Sequence, residues 1–191
     1  MERIRTERLQ LRNFVPEDFR DLQEIIIDKE ASDYAVYDHE FPAGDEAVMK
    51  ITERFSMGDK FLAVWLPEAE KVIGFVCLNG EDRKLDLGYC FHSKFGGQGY
   101  ATEACRAVVS HAFSTLKVDS LESGTALLNA PSCRMLGRLG FEKTGEEKLA
   151  FRKTAEGDPI EFVGGTFLLG KERWMSLESR NRKDRSAMES E

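Results

Sequence analysis

Residues 94–104 read KFGGQGYATEA, and three glycines, Gly96, Gly97 and Gly99, stand there within four positions. Glycine costs roughly 0.5–1 kcal/mol relative to alanine inside regular structure, so three together need a backbone reason. A tight turn is one such reason, and a ligand that must reach the main chain is another. Upstream, LDLGYCF (85–91) reads as a strand. Downstream, YATEACRAVVSHAFSTL (100–116) sets Ala101, Ala104, Cys105, Val108, Val109, Ala112 and Leu116 three and four residues apart, the spacing of an amphipathic helix. In a strand, glycine loop and helix in that order, free backbone N–H groups and the helix dipole meet at one point and favour an anion there.

The flanking sequence sets this unit in a larger pattern. RLQLRNF (8–14) alternates like a half-buried strand, and VPEDFRDLQEIIID then puts Phe19, Leu22, Ile25 and Ile26 on one helical face behind Pro16. Residues 31–47 show no clean period and end in turn chemistry at Pro42 and Gly44, and a second helix is expected to about Met57. KFLAVWL (60–66), KVIGFVCL (71–78) and LDLGYCF follow with short turn-rich links, which predicts an antiparallel meander. SLESGTALL (120–128) reads as a strand, NAPSCRMLGRLG as a helix ending at Gly140, and FEKTGEEKLAFRK and IEFVGGTFLLG as two closing strands. The expected class is α/β of the α+β kind, a mixed, mostly antiparallel sheet of about seven strands flanked by about four helices. Residues 1–174 are expected to form one domain, and 175–191 a charged, disordered tail.

Composition excludes several classes. The 191 residues carry a net charge of −7 with a pI near 5.2, against nucleic-acid binding, which needs clustered Lys and Arg. No apolar run reaches the roughly 20 residues of a membrane helix, and MERIRTERLQ lacks the core of a signal peptide, so a cytoplasmic protein is expected. Cys77, Cys90, Cys105 and Cys133 form no CxxC pair and sit among apolar neighbours, which predicts buried thiols and no metal. The loop also lacks the GxxxxGK[ST] ending and the GxGxxG spacing of the common nucleotide loops.

What the arrangement resembles is the GNAT superfamily of acyl-CoA-dependent acyltransferases, whose signature of Gln or Arg, two residues, Gly, one residue, then Gly or Ala falls here on Lys94, Gly97 and Gly99. GYATEA (99–104), TERLQLR (6–12) and NAPSCRMLGRLGFEKTG (129–145) are similar to the ribosomal-protein N-terminal acetyltransferase subgroup. The likeness spans roughly residues 6–170 and implies acetyl-CoA as co-substrate, a primary amine as acceptor, direct transfer in a ternary complex, no metal, and a monomer or homodimer. A non-catalytic acyl-CoA sensor, which keeps the loop without a working base, is the alternative.

Carried over by position, the resemblance implies that the amides of Gly97, Gln98, Gly99, Tyr100, Ala101 and Thr102, with Lys94 at the first signature position, hold the coenzyme A pyrophosphate. It places the pantetheine arm along the backbone of Leu87, Tyr89 and Cys90 as an added strand would lie. Asn129 and Ser132 form the family's NxxS. Either Asn129 caps a helix and Ser132 fills its first turn, or Asn129 meets the pantetheine amide and Ser132 steadies or protonates the leaving thiolate. For the base, Asp86 stands on the cofactor strand, with Glu81, Glu103, Asp38, Glu40 and His39 as further candidates. Tyr34, Tyr37, Phe41 and Trp65 line an acceptor groove or belong to the core.

Overall fold

The computed structural model describes residues 3–188, with side chains through residue 180. Eight strands form one sheet: β1 (Ile4–Arg5), β2 (Gln10–Asn13), β3 (Phe61–Leu66), β4 (Lys71–Glu81), β5 (Lys84–Phe91), β6 (Ser120–Ala126), β7 (Glu142–Leu149) and β8 (Phe162–Gly170). Their order is β1-β2-β3-β4-β5-β6-β8-β7. Every neighbouring pair is antiparallel except β5 and β6, whose parallel run is bridged by the helical crossover that such pairing requires. Five helices complete the fold: α1 (Phe19–Glu30), α2 (Asp45–Ser56), α3 (Tyr100–Ser114), α4 (Ala130–Leu139) and α5 (Lys171–Met188). The class and the mixed, mostly antiparallel sheet are as the sequence predicts.

Period-two alternation assigns the strand residues to two cores. Leu62, Val64, Val76, Leu87 and Leu121 pack with Ala104, Val108 and Ala112 of α3 and Leu136 of α4. Ala63 and Val72 face the other way, onto Phe14, Leu22, Ile25, Val48 and Phe55, the layer of α1 and α2. Full burial of one such side chain is worth about 1.5–3 kcal/mol, so each layer holds its helices by their apolar faces.

Two elements differ from expectation. β1 is two residues long and pairs only Ile4 with Leu11 and Arg5 with Gln10, too short to carry an alternation. α5 is helical to residue 188 where a disordered tail is expected over 175–191, and the end of that stretch, 189–191, lies outside the described residues. Its anchors are tertiary: Trp174 stacks on Phe113 with ring centroids 5.0 Å apart, and Arg173 donates from Nε to the Gly140 carbonyl at 2.7 Å. Gly140 has φ +95°, and a Cβ there would stand 2.3 Å from Leu177 Cδ1. Glycine therefore closes α4 and admits α5 at one position.

Candidate active site

The parallel pair β5 and β6 is joined at Lys84↔Ser120, Leu85↔Leu121 and Asp86↔Glu122, and no further. One more tie follows, a 2.8 Å hydrogen bond from the Ser123 hydroxyl to the Leu87 carbonyl. Beyond it the strands part, and a cleft of about 1830 Å³ opens between them. Backbone groups alternate sides along a strand. The Leu87 carbonyl faces β6, whereas the His92 N–H donates to Ile73 O beside β4 at 3.0 Å. Tyr89 and Phe91, which share the parity of Leu87 but lie beyond its tie to Ser123, therefore turn their main-chain groups toward the opening. Cys90 has the opposite parity and its backbone faces β4, where Phe75 is its register partner. The expected trio of Leu87, Tyr89 and Cys90 thus divides, and Phe91 holds the place on the edge that Cys90 was expected to hold.

Past β5, a single 3-10 turn (Ser93–Phe95) leads into the glycines. Gly97 has φ +73° and Gly99 φ +82°, conformations that cost an L side chain roughly 1–2 kcal/mol. Gly96 is extended, but a Cβ on it would lie 2.9 Å from the Ser93 carbonyl. Nothing lies within 4 Å of where a Gly97 Cβ would sit, so the approach to the main chain there is open. Glu103 N–H makes the first helical bond, to Gly99 O at 2.9 Å, and no side chain caps the turn. The N–H groups of Tyr100, Ala101 and Thr102 have no protein acceptor among the described residues, and all three residues line the cleft. Lys94 and Gln98 do not line it.

Two residues that sequence reasoning passed over fix this turn. Arg8 donates from Nη1 to Gln98 O at 3.0 Å, from Nε to Glu103 at 2.7 Å, and lies 4.3 Å over the Tyr100 ring. Thr6 Oγ1 donates to the same Glu103 carboxylate at 2.5 Å. Burial alone would raise the Glu103 pKa, but the bonds from Thr6 and Arg8 more than reverse it and hold the group below its usual range. Glu103 is thus a brace, and TERLQLR and GYATEA, 95 residues apart at Arg8 and Glu103, are two halves of one contact.

Across the cleft, Asn129 caps α4, its Oδ1 accepting from Ser132 N–H at 3.2 Å. The Ser132 hydroxyl lies 2.6 Å from the Tyr89 hydroxyl. Burial raises the Tyr89 phenol well above its ordinary value, with Ser132 opposing. The phenol therefore stays protonated at neutral pH. Asp86 does not line the cleft. It pairs in register with Asn79 and Glu122, and its carboxyl is raised by desolvation and then by Glu122. Of the other base candidates, Asp38 and His39 line the cleft and Glu81 and Glu40 do not. Trp65 packs in the α1 and α2 layer, with Arg12 5.4 Å over its ring.

Two thiols also line the cleft. Burial pushes Cys77 up to about 11 and Cys90 up to about 12, so neither is a nucleophilic thiolate at neutral pH. Among the described residues no cluster of three His, Cys, Asp or Glu is arranged to hold a metal ion, and no helix is long and apolar enough to cross a membrane.

Comparison with known proteins gives the family. Residues 8–142 match the acetyltransferase (GNAT) domain. The N-acetyltransferase p20 of Bacillus licheniformis, itself uncharacterized, is 26% identical over 151 residues, 76% of this chain and 85% of that protein. A GNAT-family acetyltransferase from Bacillus anthracis shares the fold with a TM-score of 0.74 at 22% identity, over 89% of this chain and 99% of its own. The ribosomal-protein-S5-alanine acetyltransferase of Vibrio fischeri does so with a TM-score of 0.73 at 17% identity, over 91% and 99%. With most of its body matched to that domain, the chain belongs to the GNAT acetyltransferase family and is an acetyl-CoA-dependent acyltransferase.

Proposed function

We propose that the chain transfers an acetyl group from acetyl-CoA to a primary amine, a peptide N-terminus or a small molecule, by direct attack in a ternary complex. The observation that carries this reading is the unpaired edge of β5 running into the glycine turn, with the Ser132 and Tyr89 hydroxyls 2.6 Å apart beside it.

On this reading the amides of Gly97 and of Gly99 to Thr102 take the pyrophosphate, because they line the cleft and offer donors and a helix dipole without a competing cap. The edge groups of Tyr89 and Phe91, beyond the Ser123–Leu87 tie, pair with the pantetheine amides as an added strand. An edge N–H near the thioester carbonyl also stabilises the negative charge that develops there, a contribution worth a few kcal/mol in other enzymes. Asn129 is spent on its cap through Oδ1, which leaves its NH2 for the pantetheine.

The amine nitrogen forms its bond to the thioester carbon, and the carbon–sulfur bond breaks. Ser132 donates its proton to the departing thiolate, and Tyr89, a protonated phenol in contact with it, replenishes that proton. Tyr89 regains its own from solvent, which receives the proton of the amine. An α-amine needs little help to be neutral, since it ordinarily titrates at about 7.7–8.0 against about 10.4 for lysine. Asp86, with no place in the cleft, has no part in this scheme.

The test is a thermal-shift titration with acetyl-CoA, coenzyme A and ATP, followed by release of free coenzyme A in the presence of amines. Stabilisation by both coenzyme A species and not by ATP, with amine-dependent thiol release, is the expected result. Equal shifts with ATP, or none, would overturn it.

A further inference from the structure

The amine side of the cleft has a wall of its own, built by the loop between α1 and α2 and by the hairpin joining β7 to β8. We infer that the acceptor is a primary amine carried on an aromatic or bulky aliphatic body, seated against Tyr34, Tyr37, Phe151 and Phe162. The inference rests on the acetyl-transfer reading above and narrows its substrate.

Three observations carry it. First, the wall is aromatic and reaches solvent. Tyr34 and Phe151 are 38% and 39% exposed although they line a cleft. His39, Phe151, Phe162 and Tyr37 form a chain of rings with successive centroids 4.5, 5.4 and 5.3 Å apart. Rings left open to water in a cleft favour an apolar or aromatic partner.

Second, most carboxylates on this side already have partners. Glu30 accepts from Lys29, from Arg152 and from the Phe41 N–H, each at 3.1 Å. Asp38 pairs with the same Lys29 at 3.1 Å. Asp28 is held by the Ser93 N–H and hydroxyl at 2.7 and 2.5 Å. Two cations and two anions cancel in the first group, so a second ammonium on the acceptor would lose water and gain no free carboxylate there. Glu147, exposed on β7 across the cleft, has no ion pair among the described residues. It offers one negative charge, which suits the single ammonium of the reacting amine before that group loses its proton.

Third, the wall is fixed in place. Arg152 donates to the Asp38 carbonyl at 2.7 Å and to the His39 carbonyl at 3.2 Å while its guanidinium pairs with Glu30 at 2.9 Å. A wall tied to α1 in this way does not have to be ordered when the acceptor arrives.

The experiment uses the full chain with coenzyme A or acetyl-CoA bound. Binding and kcat/KM are compared for 2-phenylethylamine against butane-1,4-diamine, and for two short peptides that differ only in a first residue of Phe or Asp. The small amines and the peptides separate the two sources of one chemistry. We expect the aromatic member of at least one pair to be favoured tenfold or more, and Phe151→Ala and Tyr34→Ala each to reduce that ratio severalfold. Preference for the diamine and the Asp peptide, or ratios that neither variant moves, would overturn the inference. An acetyl-CoA thermal shift on every sample keeps the two levels apart. A normal shift without aromatic preference defeats only the inference, whereas no shift in the parent chain defeats the reading beneath it as well.

Discussion

The two ends of the cleft are assembled in opposite ways. The end proposed for the coenzyme is local: β5, one 3-10 turn, three glycines and the first turn of α3 follow one another within residues 84–103. The end proposed for the amine is remote: Arg152 and Glu30, 122 residues apart, tie a hairpin to a helix and a loop. Backbone geometry makes the first end, and side chains brought together only by folding make the second. A chemistry common to a whole family can sit in a short motif, whereas the wall proposed for the acceptor is spread over contacts that no short motif contains.

The largest expected effect sharpens the local half of that contrast. Gly97→Asp adds atoms to open space at a positive φ, so the fold should survive at a cost of about 1–2 kcal/mol. Acetyl-CoA affinity should fall by ~10³-fold, because a carboxylate then faces the anion site. Calorimetric titration checks it, and unchanged affinity in a folded variant would remove the turn from the site. Ser132→Ala comes next, with kcat down ~10²-fold and little change in either KM, the pattern of a lost proton donor. A matching loss in Tyr89→Phe would support the relay through both hydroxyls, and an unchanged kcat in Ser132→Ala would remove the serine as donor.

Arg152→Ala tests the remote half. Acceptor KM should rise about tenfold while acetyl-CoA affinity holds within a factor of two, since the residue touches only the amine wall. A matching loss of acetyl-CoA affinity would show that the two ends are not independent. The smallest effect concerns Glu103, whose pKa is lowered in the folded chain. Its contribution to stability is present above the unfolded value of about 4.3 and is lost as pH falls through the lower folded value. Between pH 5 and 3, Glu103→Gln should therefore lose less of its midpoint than the parent, by about 2–4 °C. An identical acid profile would mean that the brace carries no net proton linkage.

The same contrast decides what could be read in advance. The helix spacing of α3 and the alternation of β2 through β5 are periodic within one segment, so the layers of the fold were legible. Cys90 was placed on the wrong edge because a strand pattern does not say which neighbour it pairs with. Arg8 and Thr6 were visible only as part of a motif, since their partner lies 95 or more residues away. Arg152 carried no local signal at all. α5 was hidden for a related reason, its charged sequence becoming a helix through Trp174 on Phe113 and Leu177 against Gly140.

The parting of β5 from β6 has a consequence for self-association. Strand edges on an outer surface recruit other chains, and proteins blunt them with charge, proline or bulges. Here the edge of Tyr89 and Phe91 lies recessed between two strands of the same sheet. A single extended, amide-bearing arm can slide in and complete the ladder, but the strand of a folded neighbour, with its own sheet attached, is too broad to enter. The molecule thereby keeps an unfinished sheet without offering it as a seed for aggregation.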